Sequence, residues 1–264
     1  MLVAALCDSV PGDEISSCKA VEYAAARWEA STGEWTAVEL PDEVGVRPVP
    51  DESPRLMAIG GHDGTAWFTV GSAVTGGPVT VAVTGDAVRV EPIELDPAVV
   101  PCLSPVGIVS VQTETVDLDP VAVTVRLPDG TPIEVPEELR VTDSARSAKC
   151  VTGGAVVGPA LPGHDVWVFD AARRTWERHR SEVPVTLNAA LRTSDGRLFA
   201  GFTVWESPNS PTQRSIVAEV AGGEVREVSD AGVGMVDSLS QVGERIAGIV
   251  SGVNGYRLEW VTAT

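Results

Sequence analysis

Six times along the 264-residue chain, at intervals of about 44 residues, the same unit returns. Each copy opens with a short apolar run, turns at a glycine, and continues in a second apolar run. Residues 2–8, Gly12-Asp13 and 15–20 form the first, and residues 56–59, His62-Asp63-Gly64 and 66–70 the second. The third joins 99–103 to 108–111 through Gly107, and the fourth joins 147–151 to 155–157 through Gly153-Gly154. The fifth is the clearest, with 187–191, Ser194-Asp195-Gly196 and 198–204. In the sixth, Gly243 separates 236–239 from 246–250. A second hairpin follows each copy, in 26–40, 79–93, 121–135, 166–178 and 216–228, and 256–261 begins a sixth that runs out at Thr264.

Four strands per period fix the fold class. Short runs rich in Val, Thr and Ile, cut by Gly, Pro and Asp, read as strands. A sheet of four such strands cannot bury two apolar faces alone, but sheets stacked around a ring bury both. The expected fold is therefore all-β, a single β-propeller over residues 1–264. Its blades fall at 1–43, 44–95, 96–138, 139–182, 183–230 and 231–264. The last lacks its outer strand, so no strand-swapped closure is expected there. A five-bladed ring with an N-terminal appendage is the alternative. The best helix candidate, 20–30, contains Val21, Tyr23 and Trp28 and is flanked by strand patterns.

Charge narrows the partners. With 37 acids against 19 bases the chain carries a formal charge of −18. Such a field repels phosphate backbones and anionic lipid heads, which argues against nucleic-acid or membrane-surface binding. No apolar run approaches the roughly 18 residues of a membrane span, and 44% apolar residues suit a soluble globular chain. The N-terminal run 1–7 has no basic start and reads as a first strand, not a signal peptide. This favours a cytoplasmic protein, with an already trimmed mature chain as the alternative. If Gly12-Asp13 is a two-residue hairpin turn, Cys7 stands opposite Cys18, and a disulfide there would imply export.

The fourth repeat reads Val151-Thr-Gly153-Gly154, then Val166-Trp-Val-Phe-Asp170, then Trp176. It resembles the kelch repeat, in which a double glycine precedes a hydrophobic–Asp…Trp hairpin. Gly60-Gly61 echoes the glycine pair and Trp35 the terminal Trp. The resemblance covers one blade and parts of two more. It implies a propeller fold and no particular activity, since kelch-like propellers include binding modules and enzymes alike.

Catalytic signatures are sparse. No nucleophile elbow, P-loop or zinc-protease spacing occurs. Four cysteines without a C-x-x-C pair and three histidines give no zinc pattern, and Asp117-Leu-Asp119 alone is too poor for calcium. No metal and no cofactor are expected. In a four-stranded blade, the strand 2–3 loops and the blade-to-blade loops share one face. The long irregular stretches fall there, among them 41–54, 72–77, 96–100, 115–120, 138–146, 159–165, 180–185, 205–214 and 229–234. Function favours long loops on a rigid scaffold.

Seven residues of this face are chemically distinctive. His164 with Asp165 could act as an acid–base pair, with Asp237 on an innermost strand as a third catalytic candidate. Arg146 and Arg214 could clamp a carboxylate, and Trp205 could offer a stacking platform beside Glu206. Against these stand plainer readings: a turn at Gly163-His164-Asp165, surface ion pairs for the arginines, and loop packing for Trp205. Lys149, like Asp237, sits where side chains can line a channel, whereas His62 and His179 read as surface. The sequence thus supports a binding module that takes a protein or small-molecule partner on the long-loop face. The alternative is a hydrolase, lyase or cyclase acting on a small molecule over the channel.

Overall fold

The computed structural model describes residues 2–9, 18–29, 32–44, 57–62, 65–71, 78–92, 99–104, 106–116, 119–127, 130–140, 145–205, 213–252 and 255–261. Their contacts group the chain into two compact units, Met1–Pro97 and Ala98–Thr264. The sheets are antiparallel meanders, with one additional parallel pairing, of Arg180 with Glu224.

The first unit holds two sheets. Strands β1 (Leu2–Ser9), β2 (Cys18–Glu29) and β3 (Glu34–Val38) form one, and β4 (Met57–His62), β5 (Thr65–Gly71), β6 (Pro78–Thr84) and β7 (Ala87–Pro92) form the other. Val44, Phe68, Val70, Val79, Val81 and Val83 make the core, with Tyr23, Val38 and Leu40 packed against it. The first sheet has three strands where the repeat predicted four. Residues 18–29 contain neither Gly nor Pro, so nothing breaks the run between the expected second and third strands. Residues 20–29 of the helix candidate are part of this strand. Register also moves the cysteines: Cys7 pairs with Val21, and Cys18 with Ser9 across a bulge. The two are therefore not opposite, and their side chains lie outside the described residues, as does the Gly12-Asp13 turn.

The second unit begins with β8 (Val99–Ser104), β9 (Gly107–Val116), β10 (Asp119–Arg126) and β11 (Pro132–Ile133), followed by a single helical turn, α1 (Glu137–Arg140). Then β12 (Arg146–Val151), β13 (Gly154–Pro159), β14 (Gly163–Asp170), β15 (Thr175–Arg192), β16 (Leu198–Trp205), β17 (Gln213–Ala221) and β18 (Glu224–Gly232) form one seven-stranded sheet. Last come β19 (Met235–Val242), β20 (Arg245–Gly252) and β21 (Gly255–Val261), a three-stranded sheet.

The 18-residue β15 departs from expectation. Residues 180–185 do not form a connecting loop. They carry the chain straight from the edge of one four-stranded set into the first strand of the next. Pro184 does not interrupt it, because residues 181–184 have no partner in either register and the missing N–H is not needed. Residues 229–232 likewise continue β18.

Three cores separate four successive layers. Ala155, Val157, Trp167 and Phe169 face Val109, Val111, Val123 and Val125 of the preceding sheet. Val156, Val166 and Val168, from the other side of the same strands, meet Leu187, Leu198, Phe202 and Ile216. Phe199 and Val217 then face Val236, Leu239, Ile246 and Val250. Period-two alternation thus sends neighbouring residues of one strand into different cores, which is why β13 and β16 carry apolar runs without polar relief. The layers are close: a Cβ on Gly201 would lie 2.6 Å from Val236 Cγ1. A disulfide joins Cys102 on β8 to Cys150 on β12, bridging the first strands of adjacent layers.

Candidate functional site

Strand direction brings most of the predicted residues to one end of the second unit. That end collects the start of β12, the β13–β14 turn, the middle of β15, the end of β16 and the start of β17. Here the polar side chains are engaged with one another. Arg178 grips Asp165 with two parallel bonds, Nε to Oδ1 at 3.1 Å and Nη2 to Oδ2 at 2.9 Å. The same guanidinium lies 5.7 Å from the Trp167 ring. Arg146 reaches the Asp165 main-chain carbonyl through Nη1 at 3.4 Å, while its Nε is buried without a partner. Burial pulls the Arg146 proton affinity down, opposed by the nearby Asp165 charge.

His164 does not pair with Asp165. Its Nδ1 donates to the Ser181 carbonyl at 2.9 Å, and because a carbonyl only accepts, that nitrogen carries the proton. The neighbouring carboxylate is held by Arg178. The acid–base dyad expected from the sequence is therefore not assembled. Arg214 is occupied as well: it binds Glu227 bidentately at 2.7 and 2.9 Å and Asp230 at 3.3 Å. These bonds raise its proton affinity further. Trp205 is half-buried and donates its indole N–H to Thr186 Oγ1 at 2.9 Å, tying the end of β16 to β15. Residues 206–212, the remainder of the loop after Trp205, lie outside the described residues, as do 72–77, 45–56 and 93–98.

A second group sits on the first strands of successive layers. Lys149 on β12 is partly buried, which lowers its proton affinity, and the Asp237 carboxylate on β19 pulls it back up. Between them, β15 carries Asn188, whose Nδ2 donates to Thr203 Oγ1 at 2.8 Å. Asn188 and Asp237 are each the extra residue of a β-bulge, between Leu187 and Ala189 and between Val236 and Ser238. A bulge turns one side chain out of the strict alternation. Lys149 and Asp237 were visible in the sequence as inner-strand polar residues, but Asn188 was hidden because a bulge leaves no local mark.

His179 corrects the surface reading: it is 2% exposed. It pairs with Val166 on one side, and the β17–β18 turn approaches on the other, where Arg180 N–H donates to the Gly223 carbonyl at 2.9 Å. Burial lowers its proton affinity, with Glu177 and the Glu224 main chain opposing. The kelch-like residues have structural work. A Cβ on Gly154 would fall 1.9 Å from the Phe169 carbonyl oxygen, so that position admits only glycine. Asp170 Oδ1 accepts from Arg173 N–H in the hairpin turn. Trp176 stacks on Phe169 at 4.9 Å and donates to the Glu134 carbonyl at 3.2 Å, linking two layers.

Among the described residues no group of three or more His, Cys, Asp or Glu could hold a metal ion. Nor is any of their helices long and apolar enough to cross a membrane. No protein-family model and no curated protein matches the sequence. Solved structures do match in shape. A prolyl endopeptidase aligns over 93% of this chain at 12% identity, with a TM-score of 0.51. A chain of the mitotic checkpoint complex aligns over 92% at 10% identity, with a TM-score of 0.46. An extracellular domain of a putative one-component system from B. thetaiotaomicron aligns over 95% at 9%, with a TM-score of 0.44. The likeness to the endopeptidase shows a propeller-like all-β fold. This chain spans 40% of that protein's length, so the likeness concerns the fold and not its reaction.

Proposed function

We propose that the chain is a propeller binding module, built from six blades of which the fourth is kelch-like. It takes a protein or small-molecule partner at the loop-bearing strand ends. The observation that carries this reading is that the reactive-looking side chains at that end already hold the scaffold. Asp165 is neutralised by Arg178, Arg214 by Glu227 and Asp230, and His164 is anchored on a main-chain carbonyl. Groups so committed shape and stiffen a surface, and they are poorly disposed to shuttle protons. A net charge of −18 favours a basic or neutral partner. The Cys102–Cys150 bridge supports a place in an oxidising compartment over the cytoplasm.

The test replaces residues 206–212 with a Gly-Ser linker, checks that melting is unchanged, and compares what wild type and variant retain from native extract and from a metabolite pool. Retention lost in the variant supports the reading. Identical retention removes this end as the binding surface. Turnover of an ester or phosphoester panel that vanishes in His164→Ala would replace the binding module with the enzyme.

A further inference from the structure

Strand β21 leaves an open edge. Its sheet has the order β19-β20-β21, and among the described residues no strand pairs with the far side of β21. A free edge offers a row of N–H and C=O groups to another strand, and proteins commonly blunt it with proline, lysine, a bulge, shortness or a covering loop. The other outer edges of the second unit carry such devices. Strand β11 is two residues long and begins at Pro132. Strand β18 has two register shifts against β17. The β15 edge is covered by the β17–β18 turn, where Arg180 N–H donates to the Gly223 carbonyl. Strand β21 has none of these. It runs Gly-Tyr-Arg-Leu-Glu-Trp-Val over seven residues, in unbroken register with β20.

Alternation sorts the side chains of this edge. Arg257 pairs with Val250 and Val261 with Ile246, so Arg257, Glu259 and Val261 share the core side. Arg257 is fixed there: Nε donates to Glu259 Oε1 at 2.9 Å, Nη1 to the Val233 carbonyl at 2.8 Å, and Nη2 to the Ala231 carbonyl. Tyr256, Leu258 and Trp260 lie on the other face, all three exposed. Outward from Leu258 the strand is complementary to its own reverse, with Arg257 against Glu259 and Tyr256 against Trp260. We propose that β21 pairs edge to edge with β21 of a second copy of this chain, antiparallel about a two-fold axis at Leu258. In that register Arg257 stands opposite Glu259 of the second copy, Tyr256 opposite Trp260, and Leu258 opposite itself. The two-fold axis makes each unlike pair twice. Opposite charges and aromatic pairs directly across a ladder stabilise it, and like charges oppose it. An axis at Arg257 or at Glu259 would set like charges against each other, so charge selects the register. It also selects the occupant, because the edge complements itself.

Edge pairing of this length buries less than a standard interface, so association is weak, with a Kd on the order of tens of micromolar. It leaves the outer face of the sheet open, and the fold of each copy does not depend on it. Sedimentation velocity of the full chain from about 1 to 300 µM, at physiological ionic strength, should show the mass double. Glu259→Arg leaves only positive charge at the unlike pairs, and Arg257→Glu only negative. Each should raise the dimer Kd about tenfold or more, and mixing the two variants should restore a dimer. Leu258→Lys, which sets like charges against each other at the axis, should weaken it as much. Melting temperatures check that each variant folds. Arg257→Glu gives up the Ala231 and Val233 carbonyls, so if it fails to fold, Glu259→Arg and Leu258→Lys decide. A monomer throughout the range, or a dimer that Glu259→Arg and Leu258→Lys leave unchanged, overturns the proposal. Neither outcome bears on the loop replacement above, which leaves β21 intact.

Discussion

The seam between β8–β11 and β12–β15 and the outer face of β19–β21 are built from similar residues and treated in opposite ways. In the seam, Phe169 and Val157 are fully buried, Trp176 reaches across to Glu134, and a disulfide crosses between first strands. On the last sheet, Ile246 and Val250 are buried, while the opposite face shows Ile249, Leu258, Trp260 and an 80% exposed Tyr256. Alternation writes an apolar residue on both sides of both sheets, and burial follows only where another layer is stacked. An apolar residue is therefore core by virtue of its neighbour, not of its own pattern.

The sharpest way to break the contrast is to truncate one aromatic on each side. Phe169→Ala should cost about 3–5 kcal/mol by urea unfolding, as expected for a large buried ring leaving a cavity. Tyr256→Ala should stay within about 0.5 kcal/mol. Comparable losses would show that the outer face is covered in solution.

The staple comes next. Its partners are separated by 48 residues. Opening a loop of that size typically costs about 2–4 kcal/mol. A Cys102→Ala/Cys150→Ala variant should lose that much, and added reductant should lower it no further through this pair. Equal stability of wild type and double variant would mean that packing alone closes the seam.

The smallest expected effect is set by pH. His179 is buried between the two halves of the seven-stranded sheet, and burial depresses its pKa below the usual 6.5. The unfolded chain then binds the proton more readily. Stability contributed by the neutral ring is fully present above about pH 6.5 and lost as pH falls toward the folded value. Wild type should lose more stability between pH 7.5 and pH 5 than His179→Gln. Parallel losses in the two proteins would assign the acid sensitivity to other groups.

Much of the fold is legible in the sequence. Glycine turns at Gly153, Gly196 and Gly243 all take positive φ, as the repeat required. The fifth copy matches almost to the residue, with β16 at Leu198–Trp205 where the repeat predicts 198–204. The misreadings share a cause. Residues 18–29 and 180–185 were divided by period, although neither holds a breaker that stops a strand where it stands. His179 looked like surface because the turn that covers it comes from 44 residues further on, at Gly223. The disulfide does carry a signal in the sequence: Cys102 and Cys150 are about one repeat apart on consecutive first strands.

By itself the sequence determined the all-β class, the strand period and the acidic surface, because alternation, glycine turns and charge are local properties of the chain. The tertiary structure alone decided which faces are core, which cysteines meet, and which candidate residues are spent on one another. Arg178 binds Asp165 across thirteen residues, and the Asp237 carboxylate on β19 attracts Lys149 on β12 across one intervening layer. The first pairing depends on strand register and the second on how layers stack, and no local pattern encodes either.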